Sequence, residues 1–331
     1  MHHIGKLLVA GLALLASSTI ACAQDAPENA TLVLGAQESG TVQWEIQTIK
    51  DLGLDQKHHL TLEVRPLADS RAGQVALLTG TVDVILSDFI WVSIQRSEGN
   101  MVTAVPHSLA VGGLMVSPDS AIATVTDLNE LTIGVAGGPV DKSWVVLQAY
   151  YNSITGEKLA DHVNAKYGAP PLINELLRSG KIDAGLNFWQ WNARSKAVGM
   201  REVISVAQML SELGVDEQPP LLGWTFTDQV ANDKNDAIVR FLEASFEAKE
   251  ILGHDDAIWE RLKGVMGASD DPALFIQLRD DYRRGIVPRY DESTVQAAEQ
   301  TFGLMARFGG SDLVGSSDRL AAGTFWSGFR K

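Results

Sequence analysis

Leu77-Leu78-Thr79-Gly80-Thr81-Val82-Asp83-Val84 aligns without a gap on Leu177-Arg178-Ser179-Gly180-Lys181-Ile182-Asp183-Ala184. The match continues to Leu86 and Leu186, to the aromatic pair Phe89 and Trp189, and to Trp91 and Trp191. Each copy reads the same way. A helix ends at a glycine able to take the left-handed cap conformation, one residue links, and a strand enters a sheet. A polar, aromatic loop then leaves the strand's carboxyl end. In open α/β sheets ligands sit beyond those ends, so two such loops, one from each half of the chain, can face each other across a cleft.

Strand and helix alternate on both sides of each copy. Before the first, 30–35 is a short buried-strand pattern, 37–41 a polar loop with Gly40, 42–52 a helical spacing ended by Gly53, and 60–64 an alternating strand. Around the second, 131–136 reads as a strand, 141–151 and 173–177 as helices, and 182–186 as a strand. That interval indicates parallel sheets with crossover helices. Leu114-Met115-Val116, ended by Ser117-Pro118, is the expected crossing strand between the halves, and 221–226 the expected return. Beyond Asn232 the pattern is helical over 237–252, 258–266, 273–283 and 293–308, expected to pack around the first lobe. The expected fold class is α/β, two lobes joined by a hinge with a helical C-terminal extension. Lobe 1 takes 24–115 and 222–331, and lobe 2 takes 116–221.

Residues 1–23 read as a secretory signal peptide. Lys6 precedes an apolar run over 7–20, and Ala21-Cys22-Ala23 is a small-x-small site followed by Gln24. The run is shorter than the ~20 apolar residues of a membrane span. Cys22 is the one cysteine among 331 residues, so no disulfide can form within the chain. It either leaves with the signal or, with Thr19-Ile20-Ala21 as a lipobox, becomes a lipidated first residue. Both readings place the protein in the periplasm.

The remaining chain of about 300 residues suits two lobes, and 45% hydrophobic content describes a globular protein. A formal net charge of −14 argues against nucleic acid, whose binders need basic surfaces, and against anionic lipid. No P-loop, G-x-G-x-x-G, H-E-x-x-H or G-x-S-x-G is present. The histidines lack metal-ligand spacing. Asp255-Asp256 and Asp280-Asp281 sit in the helical tail as solvated faces. The expectation is a binding protein with no catalytic residues, no metal and no cofactor.

Taken in order, several motifs resemble the nitrate/sulfonate/taurine-type solute-binding proteins of ABC importers, a family that also includes binders of thiamine-pyrimidine precursors. They are the early strand and glycine-containing loop, Ala76 to Val84, Asp119-Ser120-Ala121-Ile122, Val125-Thr126-Asp127-Leu128-Asn129-Glu130-Leu131-Thr132-Ile133-Gly134-Val135, and Leu176 to Ala184. The resemblance implies a type II periplasmic-binding-protein fold that closes on its ligand by hinge motion. It also implies a monomer that hands a small molecule to a permease in the inner membrane. A protein that docks on a membrane receptor as a sensor would need the same closure. An enzyme-like relative in pyrimidine-precursor synthesis is the remoter alternative. The chain departs from the sulfonate and nitrate binders in the aromatic density of Phe188, Trp189 and Trp191 and in Glu38.

In such a fold the candidate ligand contacts gather at four places. Glu38, Ser39, Thr41 and Trp44 follow the first strand, Trp44 being equally a core residue by its helical spacing. Ser87, Asp88 and Phe89 end the first repeat, and Asn187, Phe188 and Trp189 end the second. These offer polar hydrogen bonding and an aromatic cover for a solute. Gly137, Gly138 and Asp141 open a helix whose free N–H groups can hold an anion; the same turn also reads as an ordinary cap. Asp83 and Asp183 are read as structural. If Glu38, Asp88 and Asp141 converge, the ligand is cationic; if the helix start dominates, it is an anion. Trp224, near the return crossing, lies within reach of the cleft.

Overall fold

The computed structural model describes residues 29–38 and 40–331. The signal-peptide reading, Cys22 and Ser39 lie outside them. The first series runs β1 (Ala30–Gln37), α1 (Val42–Asp51), α2 (Leu54–Lys57), β2 (Leu60–Leu67), α3 (Ser70–Leu78), β3 (Val84–Asp88), α4 (Phe89–Ser97) and β4 (Val102–Ser108). The second runs β5 (Gly113–Val116), β6 (Thr132–Ala136), α5 (Lys142–Thr155), β7 (Asn164–Gly168), α6 (Pro170–Arg178), β8 (Ala184–Asn187), α7 (Trp189–Ala197), β9 (Arg201–Ser205) and α8 (Val206–Glu212). The chain then continues through β10 (Leu222–Thr227), α9 (Asp228–Asp233), α10 (Asn235–His254), α11 (Asp256–Met266), α12 (Pro272–Arg284), α13 (Glu292–Gly309) and α14 (Ser311–Val314).

The strands form two five-stranded sheets of matching topology, β2-β1-β3-β10-β4 and β7-β6-β8-β5-β9. β1 pairs in parallel with β2 and β3, as β6 does with β7 and β8. One strand in each sheet runs against its neighbours: β10 in the first and β5 in the second. Each of these has just arrived from the other lobe. A strand entering from the junction side must run opposite to strands whose carboxyl ends point there. This is a two-lobed α/β architecture with one five-stranded sheet in each lobe.

Both copies of the repeat close alike. Gly80 and Gly180 take φ of 70° and 65°, and the next N–H turns back into the helix, Thr81 to the Ala76 carbonyl at 2.8 Å and Lys181 to that of Leu176 at 2.9 Å. Each aspartate then clamps the neighbouring strand twice. The Asp83 N–H donates to the Val33 carbonyl and its Oδ2 accepts the Val33 N–H, both at 2.8 Å. Asp183 treats Thr132 the same way, at 2.9 and 2.8 Å. Among the described residues only the first clamp carries a cation, Lys234, whose Nζ lies 2.7 Å from Asp83 Oδ2.

Two expectations are corrected. Leu114-Met115-Val116 does not cross between lobes: β5 is bonded on both edges within the second sheet, and a lobe boundary after Met115 would cut that strand. The first crossing is the preceding segment 109–112. The C-terminal helices also do more than coat the first lobe. α10 packs on β1 and α1, but α12 lies on α7 and α13 on α5, both helices of the second lobe. Phe275, Leu278 and Tyr282 of α12 are buried in an aromatic cluster that holds Trp189 of α7, which is why that helix bridges.

Asp83→Ala removes a buried carboxylate bound to an N–H and an ammonium, and is expected to cost about 2–3 kcal/mol. The exposed Asp183→Ala should cost about 1 kcal/mol. Urea denaturation of the two variants checks that order.

Candidate functional site

A cleft of about 320 Å³ lies at the junction of the lobes. Gln37, Thr41, Asp69, Ser70, Ser87 and Asp88 line it from the first lobe, and Asp141, Lys142, Ser143, Phe188, Trp189 and Gln190 from the second. Ala110 to Gly112 and Leu221, from the two crossings, line it as well. The crossings are tied together: Gln218 donates its side-chain amide to the Leu109 carbonyl, while the Leu109 N–H donates to the Gly285 carbonyl at 2.8 Å. Gly112 passes so close to the second repeat's loop that a Cβ there would lie 1.6 Å from the Asn187 carbonyl oxygen.

Five helices start at the cleft: an aspartate caps α3, α4 and α5, while α1 and α7, which begin after Thr41 and Phe188, have no side-chain cap. Asp69 accepts the Ala72 N–H at 2.8 Å, Asp88 that of Trp91 at 2.9 Å, and Asp141 those of Ser143 and Trp144 at 2.9 and 3.3 Å. Carboxylates favour this position because the first-turn N–H groups are unpaired and carry partial positive charge. Burial pushes the Asp141 carboxyl upward, opposed by the Lys142 charge and the two N–H groups. Asp88 also reaches across: its Oδ2 lies 3.3 Å from Lys142 Nζ, the ion pair that joins the cleft walls.

Thr41, Ser87, Asp88, Asp141, Phe188 and Trp189 therefore come together in the cleft. Other expected residues do not line it. Asn187 is buried and supports the loop, donating to the Pro170 carbonyl and accepting the Phe188 N–H, each at 2.9 Å. Phe89 is the buried first residue of α4, packed on Phe325 with ring centres 5.8 Å apart. Trp44 is core, edge-on to Trp189 at 5.8 Å and to Trp259 at 6.0 Å. Gly137, with φ 97°, and Gly138 shape the turn that delivers Asp141. Glu38 is exposed outside the cleft. Trp224 is buried and donates to Ser245 Oγ at 2.8 Å. Sequence reasoning missed Asp69, Ser70, Gln74, Lys142, Ser143 and Gln190. Asp69-Ser70 after the β2 run was a cap signal that could have found the first two.

Beneath the cleft, α1 is held by a buried charge. Glu45 Oε2 accepts Lys249 Nζ at 2.5 Å and lies 3.0 Å from His107 Nε2, and Oε1 accepts Ser245 Oγ at 2.5 Å. The Tyr282 hydroxyl stands 3.5 Å from the same carboxylate. Burial alone would raise the Glu45 carboxyl, but Lys249 and His107 overcome it and bring it down to about 2. Burial and the Lys249 charge push the His107 imidazole down. Its buried Nδ1 has no hydrogen-bond partner among the described residues.

Among the described residues no group of acidic, histidine or cysteine side chains could hold a metal, and no helix is long and apolar enough to cross a membrane. The NMT1/THI5-like family model matches residues 50–254, more than half of the chain, and the protein belongs to that family. Its fold is that of the alkanesulfonate-binding protein SsuA from Xanthomonas axonopodis pv. citri bound to MOPS, at 18% identity and TM-score 0.69, covering 91% of this chain and 99% of that one. The periplasmic aliphatic sulphonate binding protein SsuA from Escherichia coli is equally similar, at 18% and 0.70, covering 91% and 98%. The desulfurization enzyme DSZB shares the fold at 16% identity and TM-score 0.59, covering 89% and 98%. No curated protein sequence matches the chain significantly.

Lys249→Met leaves Glu45 ionised without its ammonium and is expected to cost about 3–5 kcal/mol in urea denaturation. Because the folded Glu45 carboxyl is depressed from 4.5 to about 2, the unfolded chain binds the extra proton between those values. Its stabilisation is complete above pH 4.5 and is lost as pH falls towards 2. Denaturation midpoints of the wild-type protein measured down that range should fall, and those of Glu45→Gln should fall less.

Proposed function

We propose that the protein is the periplasmic solute-binding component of an ABC importer, exported through residues 1–23, that captures a small organic molecule between its lobes and presents it to a membrane permease as a monomer. One observation carries this reading. The two loops of the internal repeat stand on opposite walls of one cleft, and Asp88 of the first meets Lys142 of the other lobe at 3.3 Å. A site completed only when two lobes meet favours the closed form on binding, since a ligand touching both walls gains contacts there that the open form lacks. Lobe 1 is assigned the first sheet with residues up to about 108 and from 222 onward, and lobe 2 the second sheet from Gly113. Hinge motion is assigned to the crossings 109–112 and 213–221.

The family and the likeness to periplasmic sulfonate binders support this function. The described lining of the cleft offers hydroxyls, amides and carboxylates, without a cysteine or histidine to serve as nucleophile or base. That chemistry suits reversible capture better than turnover.

The test is small-angle X-ray scattering and thermal melting of the mature chain against a solute panel. A cognate solute should shrink the radius of gyration and raise the melting temperature by mass action. Trp189→Ala should weaken its binding by about 10- to 100-fold, the scale of about 1.4–2.8 kcal/mol of lost aromatic contact. Ligand binding with no contraction, or with unchanged affinity in that variant, contradicts the proposal.

A further inference from the structure

Four charged side chains line the described cleft: Asp69, Asp88, Asp141 and Lys142. Three carboxylates against one ammonium leave the site negative. The single cation is already engaged, with Asp88 at 3.3 Å. Asp69 and Asp141 have no basic group within ion-pair distance among the described residues.

Three of the five helix starts at the cleft are closed by aspartates, and this bears on the ligand's charge. An incoming anion is held at a helix start by free N–H groups and the positive end of the dipole. Here Asp69 and Asp88 each accept one first-turn N–H and Asp141 accepts two. The protein's own carboxylates stand where a sulfonate or carboxylate ligand would dock, and they present like charge to it. Three carboxylates against one engaged ammonium leave the cleft short of positive charge, although the starts of α1 and α7 carry no side-chain cap. Phe188 and Trp189, on the second-lobe wall facing Asp69 and Asp88, add π faces that attract cations and cover an apolar body.

Resting on the capture reading above, we infer that the solute is an amine-bearing organic cation, its ammonium held by the cleft aspartates and its apolar part against Phe188 and Trp189. Lys142 is then the ligand's stand-in on Asp88, displaced when the solute arrives. This sets the chain apart from the sulfonate binders whose fold it shares.

The test is calorimetric titration of the mature protein, stripped of solute by unfolding and refolding, with matched probes: phenethylamine against 2-phenylethanesulfonate, and butylamine against butanesulfonate. Each amine should bind at least about tenfold tighter than its sulfonate, a gap of about 1.4 kcal/mol. Lys142→Met should tighten the amines, because it removes their competitor, whereas it would weaken an anion. Asp88→Asn with Asp141→Asn should weaken the amines at least about tenfold. Asparagine caps helices as well as aspartate does, so this variant keeps the fold, and its far-ultraviolet circular dichroism melt confirms that. Tighter sulfonate binding, no amine binding, or weaker amine binding in Lys142→Met overturns the inference. The scattering experiment stands apart: a sulfonate that contracts the protein leaves capture intact and removes only the charge assignment.

Discussion

Glu45 is a fully buried carboxylate in the first lobe, and much of the molecule is arranged to keep it charged. Its partners arrive from different parts of the chain: His107 at the end of β4, Ser245 and Lys249 on α10, and Tyr282 on α12. An ionised carboxyl inside a protein is tolerable only when opposite charge and hydrogen bonds replace its water. Satisfying Glu45 therefore fixes α1 against the first sheet and two C-terminal helices. Thr41 and Val42, at the start of α1, line the cleft. One wall of the binding region thus stands on this charge cluster.

Glu45's neighbour carries the constraint across the junction. Trp44 meets Trp189 of the second lobe, Trp259 of α11 and Tyr282 of α12, all with ring centres within about 6 Å, the range in which edge-on and tilted aromatic pairs attract. Tyr282 belongs to both groups, touching the charge cluster with its hydroxyl and the aromatic cluster with its ring. Trp189 belongs to the cluster and to the cleft. Under the proposed capture, a solute on Trp189 would press on the packing that joins the lobes. The packing of α12 on α7 and of α13 on α5 bridges the two sheets beside the crossings.

Most of this architecture was legible because it was duplicated. Two helix–glycine–strand units with matched aspartates fixed two lobes, a parallel core in each and the loops facing the junction. The strands that escaped notice had weaker patterns. β4, Val102 to Ser108, is buried on both faces and contains Pro106, so it shows no alternation. β7 and β9 are edge strands built from residues such as Lys166 and Glu202, whose polarity suits a half-exposed edge. The cleft was legible in part. The loops could be placed, but sequence cannot say which way a side chain turns at a helix start. Phe89 and Trp189 occupy matched positions in the repeat, yet one is sealed behind Phe325 and the other opens onto the cleft. The helix start after Gly137 and Gly138 was the harder case: its N–H groups and glycines read as an anion site and Asp141 as an ordinary cap, and in the structure Asp141 accepts the Ser143 and Trp144 N–H groups.

Capture as proposed needs one solute held between both lobes. Native mass spectrometry of the mature chain, after exposure to the small-molecule fraction of a bacterial growth medium, tests this most directly. The account predicts a single one-to-one adduct that disappears when Trp189→Ala and Asp88→Asn are combined, because the two residues come from opposite lobes. An adduct that survives both substitutions, or none with the wild-type protein, would contradict it.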